Sequence, residues 1–190
     1  MKVGLYFGTY NPIHIGHLAI ANYMVEFTEI DQVWFVVSPH SPHKNKKNLL
    51  DDYQRLELVN RAIHDDFRFR VTDIEFRLPK PSFTIDTLTY LQEKHPKHEF
   101  FLIMGGDNLD SFRKWKNHDQ ILENYRILVY PRPGFNMQEK DFHPHIQLVN
   151  APLMEISASF IREALAAGKD IRHFIPPKAY QYLEEMNFYR

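Results

Sequence analysis

Apolar runs of six to eight residues alternate with stretches of helical spacing along the chain, and this alternation restricts the fold more than any other feature. "KVGLYF" (2–7), "QVWFVVSP" (32–39), "EFFLIMG" (99–105) and "YRILVYP" (125–131) read as strands buried on both faces. "FRFRVTDIEF" (67–76) alternates enough to be another. Between them the spacing predicts helices. One covers 16–27, with Leu18, Ala21, Met24 and Val25 on its apolar positions. A second covers 53–63, opened by a capping box of Asp51 and Gln54, with Leu56, Val59 and Ile63 on one face. A third covers 84–95 and stops before Pro96. Residues 157–168 make a further helix, with Ser157 or Ser159 near its N-cap and Gly168 as its C′ residue. The last, 176–188, starts with prolines. Alternating strands and helices imply a parallel sheet covered on both faces. The expected architecture is α/β: one Rossmann-like, doubly wound parallel sheet in a single domain, residues 1–190.

Composition narrows the partners. With 23 basic and 24 acidic residues the formal charge is −1, so no global pull on nucleic acid or a membrane surface is expected, and anion binding must be local. The absence of cysteine removes disulfides, thiolate nucleophiles and Cys-type zinc sites. The N-terminus shows no secretory h-region, and no run reaches the ~18 apolar residues of a membrane span, so a cytoplasmic location is expected.

The first apolar run ends at Gly8 and leads into "GTYNPIHIGH". His14 and His17 therefore sit in a strand-to-helix turn at the carboxyl edge of the sheet, where ligands bind in open parallel sheets. The helix that follows offers free N–H groups and the positive end of its dipole, which favour an anion. Imidazoles there can donate hydrogen bonds to phosphate oxygens. The competing readings are a metal pair, a general base, a pair of cations facing something anionic, or ordinary turn histidines. A metal pair at this spacing needs a third ligand, and neither H-E-x-x-H nor a nearby carboxylate supplies one. One loop stands out: the polar, proline-rich "SPHSPHKNKKNLLD" (38–51) is long for a strand-to-helix connection, and such loops are often functional.

These residues resemble a known family. "GTYNPIHIGH" looks like the first motif of the nucleotidyltransferase superfamily, which has H-x-G-H or T-x-G-H there, and the whole chain is similar to the bacterial nicotinate-nucleotide adenylyltransferases. "SPHSPHK", "PSFTIDTL", "IMGGDNLDSFRKW", "YPRPG" and "EISASFIREALAAGKDIRHFIPPKAYQYLEEMNFY" follow in that family's order. The departures are small. Asn11 stands where Asp is more usual, Tyr10 for Phe, Gly106 for Ala, Phe83 for Tyr, and "ISASFIR" for the typical "ISSTxIR".

The resemblance implies transfer of AMP from ATP to nicotinate mononucleotide, giving nicotinate adenine dinucleotide and pyrophosphate, with Mg²⁺ accompanying ATP. It assigns catalysis to His14, His17 and Arg162. For ATP it implies contacts from the first turn (Gly8, Thr9, Tyr10, His14, Gly16, His17), from Gly105 and Asp107 at the end of the fourth run, and from Ser159, Phe160 and Arg162 in the helix near the end. For the mononucleotide it implies Asn11, Lys44, Thr84 and Trp115, with the indole stacked on the pyridine ring and Thr84 beside its carboxylate at a helix start. It assigns no metal-ligating residue, leaving open which residues hold the Mg²⁺, and a homodimer is among the family's states. Rivals are an adenylyltransferase of the same fold acting on nicotinamide mononucleotide or phosphopantetheine, a class I aminoacyl-tRNA synthetase, which shares "HIGH", and a non-catalytic nucleotide sensor. The synthetase lacks support, because the chain has no K-M-S-K-S-type loop and no room for an anticodon-binding region.

Overall fold

The computed structural model describes residues 1–39, 49–134 and 143–190. Among the described residues six strands form one sheet in the order β3-β2-β1-β4-β5-β6, every neighbouring pair parallel. They are β1 (Lys2–Gly8), β2 (Gln32–Val37), β3 (Phe69–Thr72), β4 (Glu99–Gly105), β5 (Arg126–Tyr130) and β6 (Ile146–Leu148). The strand order reverses between β1 and β4, which is where a doubly wound sheet opens a crevice. The helices are α1 (Ile15–Phe27), α2 (Asp52–Ile63), α3 (Ile74–Arg77), α4 (Thr84–Lys94), α5 (Gly106–Phe112), α6 (His118–Asn124), α7 (Ala158–Ala166) and α8 (Pro177–Glu185). Among the described residues no helix is long and apolar enough to cross a membrane.

Side-chain alternation along the strands divides the core in two. Val3 and Leu5 of β1 pack with Trp34, Leu102, Leu88 and Ile121 on one face. Tyr6 packs with Phe35, Phe101, Leu58, Ile161 and Leu183 on the other, beneath α1, α2, α7 and α8. Both faces are apolar because both are covered, which is why the strands read as continuous hydrophobic runs. Gly4 lies where a Cβ would come within 2.5 Å of Ile103 Cδ1 and 3.3 Å of Ile30 Cγ2, so its missing side chain leaves room for both isoleucines beside β1.

Several expectations hold to within a residue or two. Asp51 accepts from Tyr53 N at 2.9 Å while Gln54 Oε1 accepts from Asp51 N at 3.1 Å, closing the capping box. Ser157, rather than Ser159, caps α7, accepting from Phe160 N at 3.2 Å. Gly168, at φ +68°, ends that helix, with Gly168 N donating to Leu165 O and Lys169 N to Ala164 O, both at 2.9 Å, as a Schellman turn requires. Other expectations need correction. The 67–76 run is a strand only over Phe69–Thr72; Thr72 Oγ1 then accepts from Ile74 N and the chain turns into α3. This edge strand can pair on one side only, over Val33–Val36, and beyond that the alternating residues serve a helix. The buried face of α2 centres on Leu58 and Val59 with Arg55, while Leu56 is half-buried. Strand β6 gave no clear sequence signal, because three residues are too few to show a period.

Gly4→Val should destabilise the protein by about 1–3 kcal/mol through overpacking, with Gly4→Ala less harmful. The urea midpoints of the two variants would measure this.

Candidate active site

The carboxyl ends of the central strands lie level, with Gly8 beside Val37 and Gly105 beside Tyr130, and the candidate residues gather along that edge. At Gly8 a Cβ would stand 2.8 Å from the Tyr10 ring. Tyr10 takes φ +46° and folds its ring back under the strand, where its hydroxyl donates to Tyr6 O at 2.5 Å. The tight reversal therefore needs glycine at position 8, and the Tyr10 side chain belongs to the core. The turn is anchored by Arg55, a fully buried side chain of α2. Its Nη1 donates to Thr9 O at 2.6 Å and Ser38 O at 2.8 Å, its Nε to Leu50 O at 3.1 Å, and its Nη2 pairs with Asp52.

His14 is the N-cap residue of α1 and His17 lies in its first turn. Each holds the other. His14 N donates to His17 Nδ1 at 3.2 Å, His17 N donates to His14 O at 3.0 Å, and the rings lie 3.8 Å apart between centroids. Because Nδ1 of His17 accepts, its neutral ring carries the proton on Nε2. Gly16 lets the His14 ring lie close, since a Cβ there would sit 3.1 Å from His14 Nδ1. Burial, with the Arg132 guanidinium adding to it, lowers the His14 pKa to about 4. Burial, then His14 and Arg132, put His17 well below the usual 6.5. Both imidazoles are thus neutral at pH 7, which excludes a standing pair of cations. The buried Nδ1 of His14 has no hydrogen-bond partner among the described residues.

The histidines open onto a cleft of about 250 Å³, lined also by Tyr6, Asp107, Tyr130 and Arg132. The Tyr6 and Tyr130 hydroxyls hydrogen-bond at 3.0 Å in its floor. Gly105 is the N-cap of α5, and Asp107 falls inside the first turn of that helix, so Asp107 is not its cap. A Cβ at Gly105 would come within 2.5 Å of Asp107 Oδ1 and 2.8 Å of Arg132 Cγ. Asp107 and Arg132 approach to 3.6 Å.

On the far side of the turn, α7 meets the first motif. Arg162, one turn into α7, donates from Nη1 to Asn11 O at 2.8 Å and from Nη2 to Ser159 Oγ at 3.2 Å. Asn11 Oδ1 accepts from Leu50 N at 3.2 Å and from the Tyr189 hydroxyl at 2.5 Å. A second hollow of about 480 Å³ opens there, lined by Leu50, Ser159, Arg162, Tyr189 and Arg190 among others. Phe160 is exposed and packs its ring edge-on to Phe174.

Trp115 packs against the opposite face of the sheet, in the cluster that also holds Ile85 and Leu88 of α4. Thr84 is the first residue of α4, with Phe83 as N-cap. Trp115, half-buried, packs on Phe112 with ring centroids 5.4 Å apart. Lys116 ties the two segments, reaching both Asp86 oxygens at 2.9–3.0 Å and lying 4.7 Å over the Phe83 ring. Lys44 lies outside the described residues, as does most of the 38–51 loop. Among the described residues no cluster of three or more His, Asp or Glu could hold a metal ion. Sequence reasoning missed Arg55, Arg132 and Tyr189. Arg55 was visible only as a position three and four residues before Leu58 and Val59, and Arg132 as the charged residue of "YPRPG".

The Cytidylyltransferase-like family model matches residues 5–164. A protein of Flavobacterium johnsoniae named "Probable nicotinate-nucleotide adenylyltransferase" is 52% identical over 192 aligned positions, covering 100% of both chains. A protein of Bacteroides fragilis with the same name is 51% identical, covering 95% of this chain and 90% of the relative. The solved structure of the Plasmodium falciparum nicotinic acid mononucleotide adenylyltransferase complexed with NaAD superposes with a TM-score of 0.80 at 22% identity, covering 99% and 97% of the two chains. That likeness bears on the fold.

The low His14 pKa sets a pH dependence. The unfolded chain takes up the proton near pH 6.5 and the folded chain only near 4, so this contribution to stability is complete above 6.5 and is lost as the pH falls to about 4. The loss should be about 3 kcal/mol. Urea unfolding at several pH values should show a shallower acid slope in His14→Asn than in the parent.

Proposed function

This chain belongs to the cytidylyltransferase-like family of nucleotidyltransferases, and we propose that it transfers the adenylyl group of ATP to nicotinate mononucleotide, releasing pyrophosphate. The observation that carries this reading is the meeting of two helix N-termini at one sheet edge. Helix α1 is headed by His14 and His17, and α7 is docked on Asn11 O through Arg162. Two such ends, with Arg162 and Arg132 beside them, suit a polyphosphate. The name shared by the relatives at about half identity supplies the acceptor.

The acceptor phosphate is itself the nucleophile. A phosphate monoester has a second pKa of ~6 and is mostly dianionic at neutral pH, so no general base is needed. The histidines fit that economy. An imidazole that stays neutral down to about pH 4 is a poor proton acceptor at pH 7 but a good hydrogen-bond donor. Their role is to hold and align the transferring phosphates while Arg162 and Arg132 supply permanent charge against the developing negative charge. ATP enters with its Mg²⁺, which offsets part of the triphosphate charge. Gly105 makes room for Asp107 and Arg132 at the end of β4, and the exposed Asp107 carboxylate can accept from ribose hydroxyls.

Selectivity for the acid over the amide falls to Thr84 and Trp115. The N-terminus of α4 at Thr84 favours a carboxylate, and Lys116 offsets the Asp86 charge in that first turn. Trp115 is the flat partner for the pyridine ring.

The deciding assay is pyrophosphate release from Mg-ATP with nicotinate mononucleotide beside nicotinamide mononucleotide. A strong preference for the acid is expected; equal rates would remove the carboxylate argument at Thr84, and silence with both would remove the proposed reaction. His17→Ala should lower kcat by a factor on the order of hundreds while the protein stays folded; near-normal turnover would end its phosphate role. Trp115→Ala should raise the KM for the mononucleotide far more than that for ATP. An equal rise in both would return Trp115 to the core.

A further inference from the structure

After α8 the chain makes two left-handed turns at non-glycine residues, Asn187 at φ +52° and Tyr189 at φ +66°. Such backbone is disfavoured for L-residues and persists where the surroundings hold it. Here the turns bury Phe188 against Tyr182 and bring the Tyr189 ring to the first motif, 178 positions away in sequence. The Tyr189 hydroxyl donates to Asn11 Oδ1 at 2.5 Å, and Leu50 N donates to the same oxygen at 3.2 Å. The backbone carbonyl of Asn11 is the seat of Arg162 Nη1. Asn11 is three residues before His14, so one residue links the chain end, the α7 arginine and the histidine turn. Burial holds the Tyr189 phenol far above its ordinary range, although Arg162 and Arg55 are near, so it remains a donor at working pH.

We propose that Tyr189 is a positioning residue for adenylyl transfer: by holding the Asn11 side chain it sets the turn that presents His14 and the carbonyl on which Arg162 rests. This rests on the functional reading above. What position 11 must supply is a buried acceptor, and Asn supplies it as Asp would, without burying a charge. The other account of Tyr189 is that its ring only fills space beside Phe188 and the core. Tyr189→Phe separates the two, since it keeps the ring and removes the donor.

The experiment compares kcat, both KM values and Tm for the full chain, Tyr189→Phe, Asn11→Ala, Asn11→Asp and the two combinations with Tyr189→Phe. A displaced turn should lower kcat of Tyr189→Phe about tenfold, since small misplacements of catalytic groups are expensive in rate. The KM values should move by less than about threefold, and Tm by only a few degrees. Tyr189→Phe should have no further effect on kcat in the Asn11→Ala background and should lower it again in Asn11→Asp, which retains the acceptor. Unchanged kcat in Tyr189→Phe, or an equal loss in the Asn11→Ala background, would overturn the proposal. If the parent chain forms no pyrophosphate, the functional reading fails by itself. The ¹⁵N ring shifts of His14 and His17 in the ligand-free protein then decide the positioning claim. They should move in Tyr189→Phe, and identical spectra would overturn it.

Discussion

The buried guanidinium of Arg55 joins the segments from which the candidate site is made. It reaches from α2 to the carbonyls of Thr9 after β1, Ser38 after β2 and Leu50 before its own helix, and pairs with Asp52. Those carbonyls lie beyond the ends of the strand ladders, where parallel pairing no longer supplies donors, and a buried carbonyl without a donor is costly. Arginine suits the position because its five donors are spread over a rigid plane, whereas a lysine ammonium is a point. Burial pulls the Arg55 pKa down and the Asp52 carboxylate opposes that shift. With these strand exits held together, Gly8, Tyr10 and Asn11 have one available course, and His14 is delivered to the start of α1.

Charge at the site comes from the arginines and the helix ends. The histidines occupy a low-dielectric pocket beside Tyr6 and Tyr10, and Arg132 stands near enough to oppose their protonation. The result is a surface rich in hydrogen-bond donors in which the standing positive charge is permanent and the imidazoles remain neutral. A polyanion entering such a site meets groups that need no proton transfer before they act, in keeping with a reaction whose nucleophile arrives ionised.

Some of this was legible in the sequence for local reasons. The capping box at Asp51 and Gln54, the Schellman glycine at Gly168 and the proline start of α8 each depend on a few neighbouring residues, so their signatures survive in one dimension. The turn after β1 was legible because Gly8 ends the strand and an apolar helix follows, with His14 as its N-cap and His17 in its first turn. The third strand was overextended because alternation describes a strand without saying how far its neighbour can pair with it. The protonation of the histidines was not legible, because it depends on burial and on an arginine 115 positions beyond His17 in "YPRPG".

By itself the sequence determined that the chain forms a parallel α/β sheet with a histidine-bearing turn at the end of its first strand, because periodicity, caps and strand-end glycine act through near neighbours. Only the tertiary structure decided what surrounds that turn. Arg55 and Tyr189 are polar residues on two distant segments, and hydropathy cannot distinguish a solvated arginine or tyrosine from one aimed at a distant oxygen. The difference is made by the packing of α2, α7 and the chain end against one edge of the sheet, which buries their polar groups and leaves each a single set of partners.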